Sequence, residues 1–154
     1  MEYRKYNDTF VIRMDKGEEV IHCLTEFARK ENVKLASVLA IGACDQVKIG
    51  CYDVKEKIYH VQTLEGTFEI TNLTGNVTRK DSEVYLHLHI TLADDRQQAF
   101  GGHLNACRIS GTCEMFVSVL NGNVNRKPDS IGNTGLNIFD FEEWIYEINM
   151  LSKV

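Results

Sequence analysis

Three of the five histidines fall within the stretch Tyr85 to His103, which reads YLHLHITLADDRQQAFGGH. His87 and His89 stand two apart, between Leu86, Leu88 and Ile90. Such alternation marks a strand with one apolar face, so both imidazoles leave it on the same side. After Leu92 the polar run Ala93 to Arg96 predicts a reversal, and a second strand follows from Gln98 to Ile109. A turn centred near Asp95 pairs residues whose numbers sum to about 190, setting His87 opposite His103 with their Cβ atoms about 5 Å apart.

Imidazoles that converge in this way are ligands for a divalent transition ion. Three histidines with an open position form the arrangement of catalytic zinc centres, whereas closed structural sites take four protein ligands. Without His103, a His-x-His strand is otherwise two polar positions on a solvated face. A slip of one residue in the hairpin would send His103 to the opposite face. The expectation of a metal cluster therefore depends on the length of the turn.

The elements that must hold this hairpin are mostly strands. Thr9 to Met14 alternates and opens the chain as a strand. Asp15-Lys16-Gly17 turns it, and a helix is predicted from about Glu18 to Lys30. Val20, Ile21, Leu24, Phe27 and Ala28 form its one apolar stripe. Glu18 and Glu19 in the first turn and Arg29 and Lys30 in the last suit the helix dipole. His22 lies off the stripe. Strands are then expected over Leu35 to Cys44, with Gly42 a bulge or close approach, and over Gln46 to Tyr52. Two more are expected over Lys57 to Leu64, where His60 is an ordinary strand residue, and over Thr67 to Thr78, with a turn at Glu65-Gly66 between them and Gly75 bulge-like. Past the hairpin, Thr112 to Leu120 makes one more strand. Gly101-Gly102 reads as a bulge that aims His103, or as room for a ligand or a neighbouring subunit.

Asn121 to Asn137 is the one long irregular stretch, and loops of this length are usually functional or mobile. It could fold over a site, pack on another subunit or be a plain surface excursion. Asp140 with Glu143 resembles a capping box, and Phe141, Trp144, Ile145 and Ile148 follow a helical stripe, which predicts a short C-terminal helix. Altogether the pattern is one α+β domain over residues 1–154: a mainly antiparallel sheet of seven to eight strands, one long N-terminal helix and a short C-terminal helix.

Length and composition fit one domain able to bury a proper core. No stretch of eighteen or more apolar residues occurs, so no transmembrane helix is expected. The opening MEYRKYNDTF lacks the apolar core of a signal peptide. Five cysteines, with no Cys-x-x-Cys among them, read as reduced, small buried hydrophobes of a cytoplasmic protein. A formal charge of −5 and the absence of any basic cluster weigh against free-standing binding to nucleic acid.

Several short motifs recur in one order: Gly66-Thr67-Phe68-Glu69-Ile70, Gly75-Asn76, Leu-His-Leu-His-Ile at 86–90, Gly-Gly-His-Leu at 101–104, and Cys113-Glu114. Together they resemble the PPC (plant and prokaryote) domain, also found in plant AT-hook nuclear proteins, over roughly residues 8 to 140. The resemblance implies an α/β protein with a mainly antiparallel sheet that assembles as a trimer. The stand-alone prokaryotic members carry the family label of DNA-binding proteins, by association with plant relatives whose DNA contact is an AT-hook with an Arg-Gly-Arg-Pro core. That core is absent from this chain. Some prokaryotic members contain metal, and the motif histidines map onto His87, His89 and His103. The fold is also similar to that of acetolactate decarboxylase, which uses a three-histidine zinc site.

Two functions of different class follow. One is a trimeric binding or regulatory module carrying a divalent metal, with zinc the expected ion, whose open position could take a small-molecule ligand. The other is a metal-dependent enzyme acting on a small molecule. The second needs a general acid or base within hydrogen-bond reach, and Glu69 and Glu114, on strands near the hairpin, are its candidates. Either could as readily be a solvated strand residue. DNA association through an oligomer surface or a partner is a third possibility.

Overall fold

The computed structural model describes residues 1–141. Strands β1 (Glu2–Tyr6) and β2 (Thr9–Asp15) form the first hairpin, and α1 (Val20–Lys30) follows. Four long strands come next: β3 (Ala36–Asp53), β4 (Ile58–Lys80), β5 (Glu83–Ala93) and β6 (Ala99–Val119). Two short ones, β7 (Asn125–Pro128) and β8 (Asn137–Asp140), end the described chain. All lie in one sheet, antiparallel except where β7 meets β4 at Arg79 and Asn125. Strands β3, β4, β5 and β6 pair in a ring, with β6 returning to β3. The fold class expected from the sequence is the one found.

Packing follows the alternation. Phe10, Ile12, Val38, Ala40, Leu73, Leu88, Ile90, Leu92, Met115 and Val117 all face one buried core. Helix α1 lies on that core through Val20, Leu24, Phe27 and Ala28. Phe27 meets Tyr3 and Phe10 edge-on at ring separations of 5.0 and 4.9 Å, a favoured aromatic geometry. The other sheet face holds Thr74, His89, Leu39 and Phe116, all exposed.

Several boundaries differ from the expectation, each for a local reason. The helix is eleven residues and not long, because its two leading glutamates are used elsewhere. Glu19 is the N-cap: its carboxylate accepts from the amides of Ile21 and His22, and also from Cys107 on β6. Glu18 accepts from the Asp15 amide and pairs with the N-terminal ammonium. Strand β1 escapes periodicity, since Glu-Tyr-Arg-Lys-Tyr is polar on both faces. The expected breaks at 45, 65–66 and 110–111 are irregularities inside continuous strands. At 65–66, Glu65 still pairs with Gln46 and Phe68 with Cys44, so Gly66 and Thr67 form a bulge that bends β4 without reversing it. Between Ser110 and Thr112 the register of β6 on β3 shifts in the same way.

Other features fall as follows. The expected C-terminal helix lies, beyond its first residues, outside the described residues. His22 and His60 are exposed. The cysteines are all free, but only Cys44, Cys107 and Cys113 are buried: Cys23 is half-buried and Cys51 exposed. Burial pushes the Cys113 thiol up to about 12, which keeps it protonated. Among the described residues, no helix is long and apolar enough to cross a membrane.

Candidate metal centre

The β5–β6 hairpin turns through Asp95, Arg96 and Gln97. Asp94 and Gln98 close it, with Asp94 N donating to Gln98 O at 3.1 Å and Gln97 N to Asp94 O at 3.0 Å. The Asp94 carboxylate fixes the loop by accepting from the amides of Arg96 and Gln98. Gln97 takes the left-handed conformation, φ 59°, that a three-residue hairpin loop requires. The turn is thus one position later than expected, and His103 opposes His89, not His87. His103's partner moves by two residues, and an even displacement preserves the face. His87 pairs instead with Asn76 on β4.

All three rings meet. Their centroids are 5.2 Å (His87–His89), 5.2 Å (His87–His103) and 5.4 Å (His89–His103) apart. One nitrogen from each lies within 4.8 Å of the others. The Nε2 atoms of His87 and His89 are 3.3 Å apart. Tetrahedral zinc with Zn–N bonds of about 2.0–2.1 Å separates its ligand nitrogens by about 3.3 Å. That pair therefore already spans one edge of a coordination tetrahedron, and a nitrogen of His103 lies within 4.8 Å of both. Burial, then the charge of Arg126, then the neighbouring imidazoles hold His87 down at about 4. Burial and His89 lower His103 as well. Both rings are neutral at pH 7, with lone pairs free for an ion. The donor set fits a divalent transition metal.

Around the rings is a cleft of about 990 Å³. Gly50 lies opposite His103, and because it has no side chain the Tyr59 ring can lie over it, 6.3 Å from His103. Gly101 and Gly102 also line the cleft, pairing regularly with Thr91 and Ile90. The bulge expected there lies at Asn105, where the register on β3 shifts between Lys48 and Ile49. The stretch from Asn121 to Asn137, expected to be irregular, holds β7 and forms the far wall with β8 through Arg126, Leu136, Asn137, Ile138 and Phe139.

Neither glutamate reaches this place. Glu69 opposes Ala93 and so shares the histidine face, but it stands four residues along β5 from His89, about 13 Å away at the rise of a strand. Glu114 pairs with Arg13 and Ile41, beside a different surface groove. Among the described residues, none that lines the cleft is Asp or Glu. Arg126, missed in the sequence, is among the described residues the one buried charged side chain there. Position within the long irregular stretch was the only signal that pointed towards it.

The sequence profile of the Plants and Prokaryotes Conserved (PCC) domain matches residues 1–121. A solved structure from Bacteroides thetaiotaomicron, described as a "putative DNA binding protein", is 30% identical with a TM-score of 0.88, covering 92% of this chain and 97% of that one. A metal-containing protein of Archaeoglobus fulgidus is 34% identical with a TM-score of 0.80, covering 90% and 95%. Acetolactate decarboxylase of Bacillus subtilis shares the fold at 14% identity and a TM-score of 0.51, covering 90% of this chain and 64% of the enzyme. A curated relative, the bifunctional protein GlmU of Synechococcus sp. (strain JA-3-3Ab), is 28% identical over 123 residues. These are 78% of this chain, which spans only 18% of that protein's length.

Proposed function

Because the chain belongs to the Plants and Prokaryotes Conserved (PCC) domain family, we propose that it is a trimeric binding or regulatory module whose three-histidine centre holds one divalent ion, zinc. The observation that carries this reading is the meeting of three imidazole nitrogens within 4.8 Å in a cleft that no carboxylate lines among the described residues. His87, His89 and His103 would hold the ion, which when bound supplies Lewis acidity at an open coordination position. The rest is done by the chain: Tyr59 and Asn105 hydrogen-bond to each other beside His103, and Arg126 and Phe139 close the far side. The metal-containing relative in Archaeoglobus fulgidus supports the same assignment. Protein purified without a histidine tag is expected to carry about one zinc per chain. Elemental analysis finding no metal, and no uptake when zinc is added, would overturn the reading.

A metal-dependent enzyme remains the alternative, but its support is a shared fold, and a fold does not carry a reaction. Among the described residues, no carboxylate lines the cleft to serve as the base such chemistry needs. Direct DNA contact is also the weaker reading for this chain, because affinity for phosphates comes from Lys and Arg and the formal charge is −5.

Assembly is supported by the outer sheet face. Leu39 pairs with Phe116 across β3 and β6, Ile41 lies two residues on, and the three are 54%, 49% and 55% exposed respectively. Neighbouring apolar side chains this open mark an interaction surface. Light scattering is expected to give three times the chain mass for the native protein, and monomer for Phe116→Asp. A monomeric native protein would refute the trimer.

A further inference from the structure

Arg126 carries a charge that no carboxylate among the described residues balances. Its residue is only 9% exposed. The guanidinium lies between Tyr85 and Phe139, 4.8 and 4.4 Å from their ring centroids. Nε donates to Thr78 Oγ1 at 3.1 Å, Nη1 to the Asn137 carbonyl at 3.0 Å and Nη2 to Asn76 Oδ1 at 2.7 Å. Every one of these partners is neutral, and among the described residues no carboxylate pairs with it. A guanidinium has five N–H groups, so one remains on each Nη. Arginine stays charged in proteins, and a buried charge without a counter-ion is costly.

The place of that charge matters. Asn76, which anchors Nη2, is the direct cross-strand partner of His87. The guanidinium is therefore held by a side chain of the histidine face, on the strand next to His87, and it lines the same cleft as the three rings. A divalent ion on the imidazoles would add two further positive charges to a cleft that no acidic side chain lines among the described residues. Leu136, Ile138 and Phe139 give the wall an apolar part, and the volume of about 990 Å³ suits an organic molecule better than a bare inorganic anion.

We propose that this cleft receives a small organic carboxylate, paired by the two remaining Nη hydrogens of Arg126, with its hydrocarbon part against Leu136, Ile138 and Phe139 and a second oxygen donor turned to the three imidazoles. The second anchor rests on the metal reading above, whereas the first needs only Arg126. Paired N–H···carboxylate bonds from one guanidinium are short, strong and directional, which suits a receptor selective for the acid over its neutral analogues.

Calorimetric titration with 2-oxohexanoate and with 2-oxohexanamide, a neutral analogue of the same shape, tests this. Zinc-loaded protein is expected to bind the acid at least about tenfold more tightly than the amide, since a hydrogen bond to a charged partner contributes more than 1.4 kcal/mol. Arg126→Gln should keep its zinc, by elemental analysis, and lose the preference for acid over amide. Equal affinity for acid and amide, an undiminished preference in Arg126→Gln, or tighter binding of inorganic phosphate than of the acid would each overturn the proposal. Should Arg126→Gln fail to fold, the acid-to-amide ratio in the native protein decides alone. A chain that takes up no zinc yet still prefers the acid would refute the metal reading and leave the Arg126 anchor standing.

Discussion

His89→Ala will purify as a folded protein without stoichiometric zinc, and His87→Ala will do the same. Each substitution removes one of the three proposed protein ligands. Losing a partner that merely orients a ligand costs a metal site roughly 10–100-fold in affinity, so losing a ligand itself should cost at least about 100-fold. The fold has little reason to suffer, because both rings project from the face turned away from the core, and His89 is exposed. Thermal unfolding of the stripped proteins should therefore coincide with that of the stripped native chain. The stabilisation that zinc gives the native chain by binding only its folded state should vanish in both variants. His22→Ala and His60→Ala supply the control, since both side chains are exposed and neither belongs to the cluster. They should keep a full complement of metal. Unchanged metal content in both His87→Ala and His89→Ala would remove the centre, and with it the proposed function.

What the sequence made legible was set by the range of the physics. Alternation is a property of adjacent residues, so the Leu-His-Leu-His-Ile strand, its apolar face and the common side of His87 and His89 could be read directly. His103 needed the turn. The reading erred there by one position, because the loop is closed by the Asp94 carboxylate and a left-handed Gln97, which composition does not announce. The face survived because the resulting displacement was even. Long strands were cut into pieces for the opposite reason: Glu65-Gly66 and Ser110-Gly111 have the composition of turns, and only their neighbours on β3 keep the backbone extended. Arg126 was illegible in principle. Its role is set by Asn76 and Thr78, about fifty positions earlier, and by Phe139 folding back upon it. The glutamates show the converse limit, since a correct face, as at Glu69, says nothing about position along the strand.

Gly75 shows how closely the centre depends on the backbone beneath it, and Gly75→Ala is expected to lose both stability and metal. Gly75 pairs with Leu88 on β5, one residue from the His87–Asn76 pair. A Cβ added there would lie 1.9 Å from the His87 carbonyl oxygen and 2.8 Å from Leu88 Cα. Both atoms are backbone, so no rotamer change relieves the contact, and the 1.9 Å separation must open by about 1.5 Å to reach an ordinary contact of 3.4 Å. Overpacking of a side chain costs about 1–3 kcal/mol, and a clash with a strand backbone belongs at the upper end. The opposing gain, the reduced freedom of the unfolded chain when Ala replaces Gly, is only about 0.4–1 kcal/mol. A net loss of about 2 kcal/mol or more should appear as an earlier midpoint in urea unfolding. Metal affinity should fall with it, because the displaced atom is the carbonyl of a proposed ligand residue and such centres tolerate errors of only about 0.5 Å. Gly111→Ala is the matched comparison: its added Cβ would meet only Ala43 Cβ at 3.5 Å, an ordinary contact. That variant should stay within about 0.5 kcal/mol of the native chain and keep its zinc. Should Gly75→Ala unfold at the native midpoint with full metal content, the close approach of β4 to His87 is not what positions the ring.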